Sequence, residues 1–184
     1  PLPGAPQPQP RCPTRVSSDL FLPPGIPKPA KSDTTAALMT FSARDLLFEG
    51  NEISGAVTAG MAISYSSTQI SGDITVRNNL IDGNGDSGLT MYGSYGANVV
   101  ENNTITNNGA TYATSGVNLW GVGNAISKNV VTGNAASGIA VVGQRPTTAP
   151  TWSASVNNRI SENTFGSNGG VAIDLVESSD LDTD

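Results

Sequence analysis

The chain has no histidine, a single cysteine, few aromatics and little charge, and each shortage removes a class of function. Without histidine there is no Ser–His–Asp triad, no Cys–His couple and no His-ligated zinc. Cys12 has no second cysteine to pair with, so an internal disulfide is excluded. Charged residues make up 13% of the chain, too few for a helical protein built on Glu, Lys and Leu. The net charge of −6 argues against nucleic acid and against a basic lipid-binding face. No apolar run approaches the roughly 20 residues that span a bilayer, so membrane insertion is not expected. What the chain does have is Gly, Asn, Ser and Thr, the residues of turns and short strands.

Those residues recur. Five segments align on an asparagine: Phe48-Glu-Gly-Asn51-Glu-Ile53, Val76-Arg-Asn-Asn79-Leu-Ile81, Val100-Glu-Asn-Asn103-Thr-Ile105, Ile126-Ser-Lys-Asn129-Val-Val131 and Ile160-Ser-Glu-Asn163-Thr-Phe165. The aligned asparagines lie 28, 24, 26 and 34 residues apart. Each segment is followed by a glycine-led apolar alternation: Gly60-Met-Ala-Ile63, Gly88-Leu-Thr-Met91, Gly116-Val-Asn-Leu119, Gly138-Ile-Ala-Val141 and Gly170-Val-Ala-Ile173. Between the two elements Asn84, Asn108, Asn134 and Asn168 share one aligned turn position, and Ala37–Met39 is an incomplete earlier copy.

Period-2 alternation over three to five residues makes these elements strands, and a repeat of about 25 residues makes the whole a parallel solenoid. The expected fold is all-β, a right-handed parallel β-helix of about five coils over residues 37–176. A Pro-rich linker or cap is expected over 1–36 and an acidic tail over 177–184. Three inward stacks follow from the register: Phe48, Val76, Val100, Ile126 and Ile160; Ile53, Ile81, Ile105, Val131 and Phe165; Ile63, Met91, Leu119, Val141 and Ile173. Asn51, Asn79, Asn103, Asn129 and Asn163 are expected at one bend, in left-handed geometry, as an internal amide ladder rather than a binding stripe.

The phrases "VVENNTITNNG…SGVNLWG" and "ISKNVVTGNAASGIAVVG" resemble the β-helix repeats of the pectate-lyase-like superfamily, and within it those of NosD-like and bacterial surface proteins. The resemblance covers residues 37 to 176. It implies the fold but not one function, since that superfamily holds lyases, hydrolases, epimerases, tailspikes and non-catalytic adhesins. Low charge with Asn and Thr richness is similar to exported repeat proteins, so an extracellular or cell-surface location is expected. The chain begins on proline without a signal peptide and is expected to be excised from something longer. The ending "VAIDLVESSDLDTD" is similar to the acidic extension of long surface β-helices.

Outward positions carry the candidate chemistry. Tyr92 and Trp120 are expected about 5 Å apart on adjacent coils, with Asn118 beside them and Asp174 on the same face. Aromatic faces beside amides and a carboxylate suit a polysaccharide or surface glycan; the competing reading is an aromatic pair that stiffens the sheet. On the asparagine-led strand, Glu49, Arg77 and Glu101 read as a cross-coil ion-pair ladder more simply than as paired glycosidase carboxylates. Asp73, Asp82 and Asp86 are scattered among turns. Asp180, Asp182 and Asp184 form Asp-x-Asp-x-Asp, the first half of a calcium loop that lacks its glycine and distal ligand. No other cofactor is implied. The insertion Gln144–Ser155 is expected as a projecting loop bearing Arg145 and Trp152, and an uncapped stack end is expected to invite end-to-end self-association.

Three functions from different classes remain open: a non-catalytic adhesin or scaffold touching glycans, a fragment of a polysaccharide-acting enzyme, and a stalk with no ligand.

Overall fold

A computed structural model of the chain describes residues 37–41, 43–64, 72–95, 97–143 and 155–177, with the backbone alone at 41, 93–95 and 177. These residues form strands, turns and bends, with no helix among them. The strands run in threes: β1 (Leu38–Phe41), β2 (Leu47–Glu49) and β3 (Glu52–Ser54); β4 (Met61–Ser64), β5 (Thr75–Arg77) and β6 (Leu80–Asp82); β7 (Leu89–Tyr95), β8 (Val99–Glu101) and β9 (Thr104–Thr106); β10 (Val117–Val122), β11 (Ala125–Ser127) and β12 (Val130–Thr132); β13 (Ile139–Gly143), β14 (Arg159–Ser161) and β15 (Thr164–Gly166). A last strand, β16 (Ile173–Glu177), opens a further turn.

Each strand pairs in parallel with its equivalent one coil on, giving a six-stranded sheet (β1-β4-β7-β10-β13-β16) and two five-stranded sheets (β2-β5-β8-β11-β14 and β3-β6-β9-β12-β15). This is a right-handed parallel β-helix. The first two inward stacks are as the repeat predicts, register for register: Phe48↔Val76↔Val100↔Ile126↔Ile160 and Ile53↔Ile81↔Ile105↔Val131↔Phe165. Val76, Val100, Ile126, Ile81, Ile105 and Val131 are wholly buried.

The third stack differs in its last member. Val141 pairs with Leu175, and Ile173 pairs with Ile139. The glycine that marks the strand start in four coils is replaced by Ala172 in the fifth: Leu89, Val117 and Ile139 donate to Gly116, Gly138 and Ala172 carbonyls in turn. Gly170 imitates the signature two residues early. Asp174 therefore joins the column Ala62, Thr90, Asn118, Ala140 rather than that of Trp120.

Three corners separate the strands, and each is built alike. A left-handed residue makes the turn and the next residue points its side chain inward. At the first aligned corner the left-handed residues are Gly50, Asn78, Asn102, Lys128 and Glu162. The expectation of left-handed geometry at Asn51, Asn79, Asn103, Asn129 and Asn163 is displaced by one, because the residue before the amide takes the turn.

The amides themselves stack. Asn51 Nδ2 donates to Asn79 Oδ1, Asn79 Nδ2 to Asn103 Oδ1, Asn103 Nδ2 to Asn129 Oδ1 and Asn129 Nδ2 to Asn163 Oδ1, all at 2.9–3.0 Å. A second ladder runs through Asn84, Asn108, Asn134 and Asn168. A third, not foreseen from the repeat, runs through Asn98, Asn124 and Asn158. Buried amides in these ladders satisfy corner backbone that no strand partner reaches.

Candidate functional site

The outer face of the six-stranded sheet places the predicted aromatic pair as expected. Tyr92 of β7 and Trp120 of β10 are direct partners in the register, since period 2 puts both on the outward side. Their ring centroids are 5.6 Å apart at 66°, an edge-to-face contact. Tyr92 is 37% exposed. Immediately after Trp120 the register slips, Gly121 pairing with Ser94 and skipping Gly93. A bulge of this kind bends the strand away just past the rings.

Asn118 is two residues before Trp120 and its Nδ2 donates to Ser87 Oγ of the coil below at 2.6 Å. Ser87 is fully buried and its N–H and hydroxyl both reach Asp86 Oδ1, at 2.7 and 3.3 Å. Asp174, two coils beyond Asn118 in the same column, accepts from Ser137 Oγ at 3.3 Å. Asp174 is thus on the predicted face but one column and two coils from the rings, and it is not gathered with them. Ser87 and Ser137 were not predicted; the signal was the serine that precedes Gly88, Gly116 and Gly138. Tyr112, 55% exposed, stands on a turn after β9.

The outer face of the second sheet holds one ion pair in place of the expected ladder. Arg77 grips Glu49 with Nε at 2.9 Å and Nη2 at 3.2 Å, and Asn78 Nδ2 adds a third donor at 3.2 Å. Glu101 is Arg77's register partner on the other side but makes no ion pair with it, because both guanidinium donors used here point to Glu49. The Arg77 hydrogen bond holds the Glu49 carboxyl below the usual carboxylate range. Asp73, Asp82 and Asp86 are scattered as predicted, bonded respectively to Arg44, Asn107 and Ser87.

No group of three His, Cys, Asp or Glu side chains able to hold a metal occurs among the described residues. Asp180, Asp182 and Asp184 lie outside the described residues, as do Arg145 and Trp152. Ser155, the last residue of that insertion, donates to Val142 O at 2.7 Å and accepts from Gly121 N at 3.1 Å. No helix among the described residues is long and apolar enough to cross a membrane.

No curated protein matches the sequence at a significant level. Among solved structures, the chain is similar to the A-module of the Azotobacter vinelandii mannuronan C-5 epimerase AlgE4, at 20% identity with a TM-score of 0.61. The match covers 78% of this chain and 40% of that one, so the chain spans well under half of the epimerase module. At that identity the likeness concerns the fold. Residues 31–150, more than half of the sequence, match the family described as right handed beta helix region, and the chain belongs to that family.

Proposed function

We propose that this chain is a β-helix module of an extracellular or cell-surface protein, non-catalytic, adhesin-like or scaffold-like, that contacts polysaccharide through the outer face of its six-stranded sheet. The observation that carries the reading is the Tyr92–Trp120 pair: two outward rings on adjacent coils, in edge contact, one of them 37% exposed, on a strand that bends away just after them. A sugar's C–H face stacks on such rings, and Asn118 beside them supplies an amide for hydroxyls. Asp174 on this face and Asp86 beside Ser87 each sit in a hydrogen bond with a serine.

The second reading is a fragment of a polysaccharide-acting enzyme. It draws on the fold likeness to a module of an enzyme named for acting on mannuronan. The test is a glycan-array screen of the chain beside its Tyr92→Ala/Trp120→Ala variant. The parent is expected to bind an oligosaccharide and the variant to bind it about tenfold more weakly or worse, the loss of one good aromatic contact. Equal binding by both removes the aromatic face from the account, and no binding by either leaves a stalk. Turnover of the bound glycan by the parent would favour the enzyme reading over the adhesin.

A further inference from the structure

Four cationic side chains fall among the described residues. Arg44 is held by Asp73 at 3.7 Å and Arg77 by Glu49 at 2.9 Å. Lys128 and Arg159 take no carboxylate partner among the described residues, and both line the same hollow of ≈ 260 Å³, with Ala125, Ser127, Ser161 and Glu162. The hollow is on the outer face of the second sheet, away from Tyr92 and Trp120.

Its shape follows from side-chain size along two outward columns. The first reads Leu47, Thr75, Val99, Ala125, Arg159 and the second Glu49, Arg77, Glu101, Ser127, Ser161. Ala125 and Ser127 on β11 are small between the longer side chains of β8 and Arg159 of β14, so the face steps inward there. Two corner residues wall it. Lys128 and Glu162 stand in left-handed backbone, φ 58° and 59°, where the equivalent corners have Gly50, Asn78 and Asn102. Every corner of the coil uses that conformation, so it marks no function here and only puts a long charged side chain at each of two adjacent corners. Within the hollow, Ser161 Oγ is covered and has no hydrogen-bond partner.

We propose that this hollow binds a single oxyanion (carboxylate, sulfate or phosphate), with Arg159 and Lys128 supplying the charge and the Ser127 and Ser161 hydroxyls the remaining hydrogen bonds. Two cations without a carboxylate partner among the described residues, on a chain of net charge −6, are a local reversal of the molecule's sign. Arg presents a planar fork that matches carboxylate, sulfate or phosphate, and Lys adds a point charge. The volume is below that of a drug-sized pocket, so it admits a free ion or one charged sugar unit and not a longer segment. Glu162 also lines the hollow, and its carboxylate opposes the bound anion.

The test is a titration of the ¹⁵N-labelled chain with sodium sulfate and, separately, with glucuronate, at ionic strength held constant with chloride. Both are expected to give saturable amide shifts confined to residues 125–128 and 159–162. Lys128→Gln/Arg159→Gln should weaken binding about tenfold or more. Glu162→Gln should tighten it, and Arg44→Gln, which removes an already paired cation, should leave it unchanged. The spectrum outside the hollow reports that each variant is folded. Tighter binding of glucuronate than of sulfate assigns the oxyanion to a sugar; the reverse assigns it to a free ion. Shifts that never saturate, or that spread equally over Arg44 and Arg77, overturn the proposal, as does a double variant that titrates like the parent. Tyr92→Ala/Trp120→Ala should titrate like the parent, which keeps this result separate from the glycan screen.

Discussion

Asn103 shows what one ladder amide does. Its Oδ1 accepts from both the backbone N–H and the Nδ2 of Asn79, and its Nδ2 donates to Val76 O and to Asn129 Oδ1, all at 2.9 Å. At 1% exposure no water can replace these bonds. Asn103→Ala is expected to cost about 3 kcal/mol, since it strands several buried groups at once. Asn163 accepts from Asn129 in the same way but is only partly buried, so Asn163→Ala is expected to cost about 1 kcal/mol. Urea midpoints at unchanged slope measure both; equal losses would mean that rung position does not matter. The first ladder was legible because Asn recurs at one aligned site per coil; of the second only the shared turn position was read, not the ladder. The third was equally written: Asn98, Asn103 and Asn108, then Asn124, Asn129 and Asn134, then Asn158, Asn163 and Asn168 step by five within each coil. It is the least conspicuous because only three coils carry it, Ile74 holding the equivalent position in the coil before Asn98.

At the scale of the strand, the leading glycine and the second ladder explain each other. A β-carbon on Gly60, Gly88 or Gly116 would lie 2.5, 2.8 or 2.7 Å from Nδ2 of Asn84, Asn108 or Asn134. The ladder amide of the next coil rests against the glycine, so a side chain there has nowhere to go. Gly116→Ala is expected to destabilise the fold by about 1–3 kcal/mol through overpacking, measured by thermal or urea unfolding. The same geometry corrects the last strand. Asn84, Asn134 and Asn168 are each followed four residues later by Gly88, Gly138 and Ala172, and only the longer turn after Asn108 puts Gly116 eight residues on, so in the last coil the count from the asparagine finds the strand start that Gly170 disguises. Strand identity and inward face were thus readable from period 2, whereas the column of Asp174 depended on one alanine in a glycine's place. The hollow at Lys128 and Arg159 was less readable still. It arises from the contrast between neighbouring coils, and no single segment contains it.

At the scale of the molecule the two ends are unlike. Phe48 and Ile53 in the first coil are 6% and 2% exposed, while Val171, Ile173 and Leu175 at the other end are 58%, 40% and 78% exposed. Leu175 continues the inward column of Leu119 and Val141, so a core position faces solvent there. End-to-end association through that surface is expected to register in sedimentation velocity as species that grow with concentration, and Leu175→Lys is expected to return the chain to a single slow boundary. A single boundary from the parent across a wide concentration range would count against it.

The ladders also give the solenoid a direction. In every rung the donor belongs to the earlier coil and the acceptor oxygen to the later one, so the amide dipoles of the ladders add along the stack. A surface that continues the ladders past Asn158, Asn163 and Asn168 must offer carbonyl oxygens, and one that continues them the other way must offer N–H groups. Like ends cannot mate through these bonds. Any assembly along the axis through these bonds would therefore be heterologous, and a heterologous contact that does not close into a ring makes an open filament with one growing polarity.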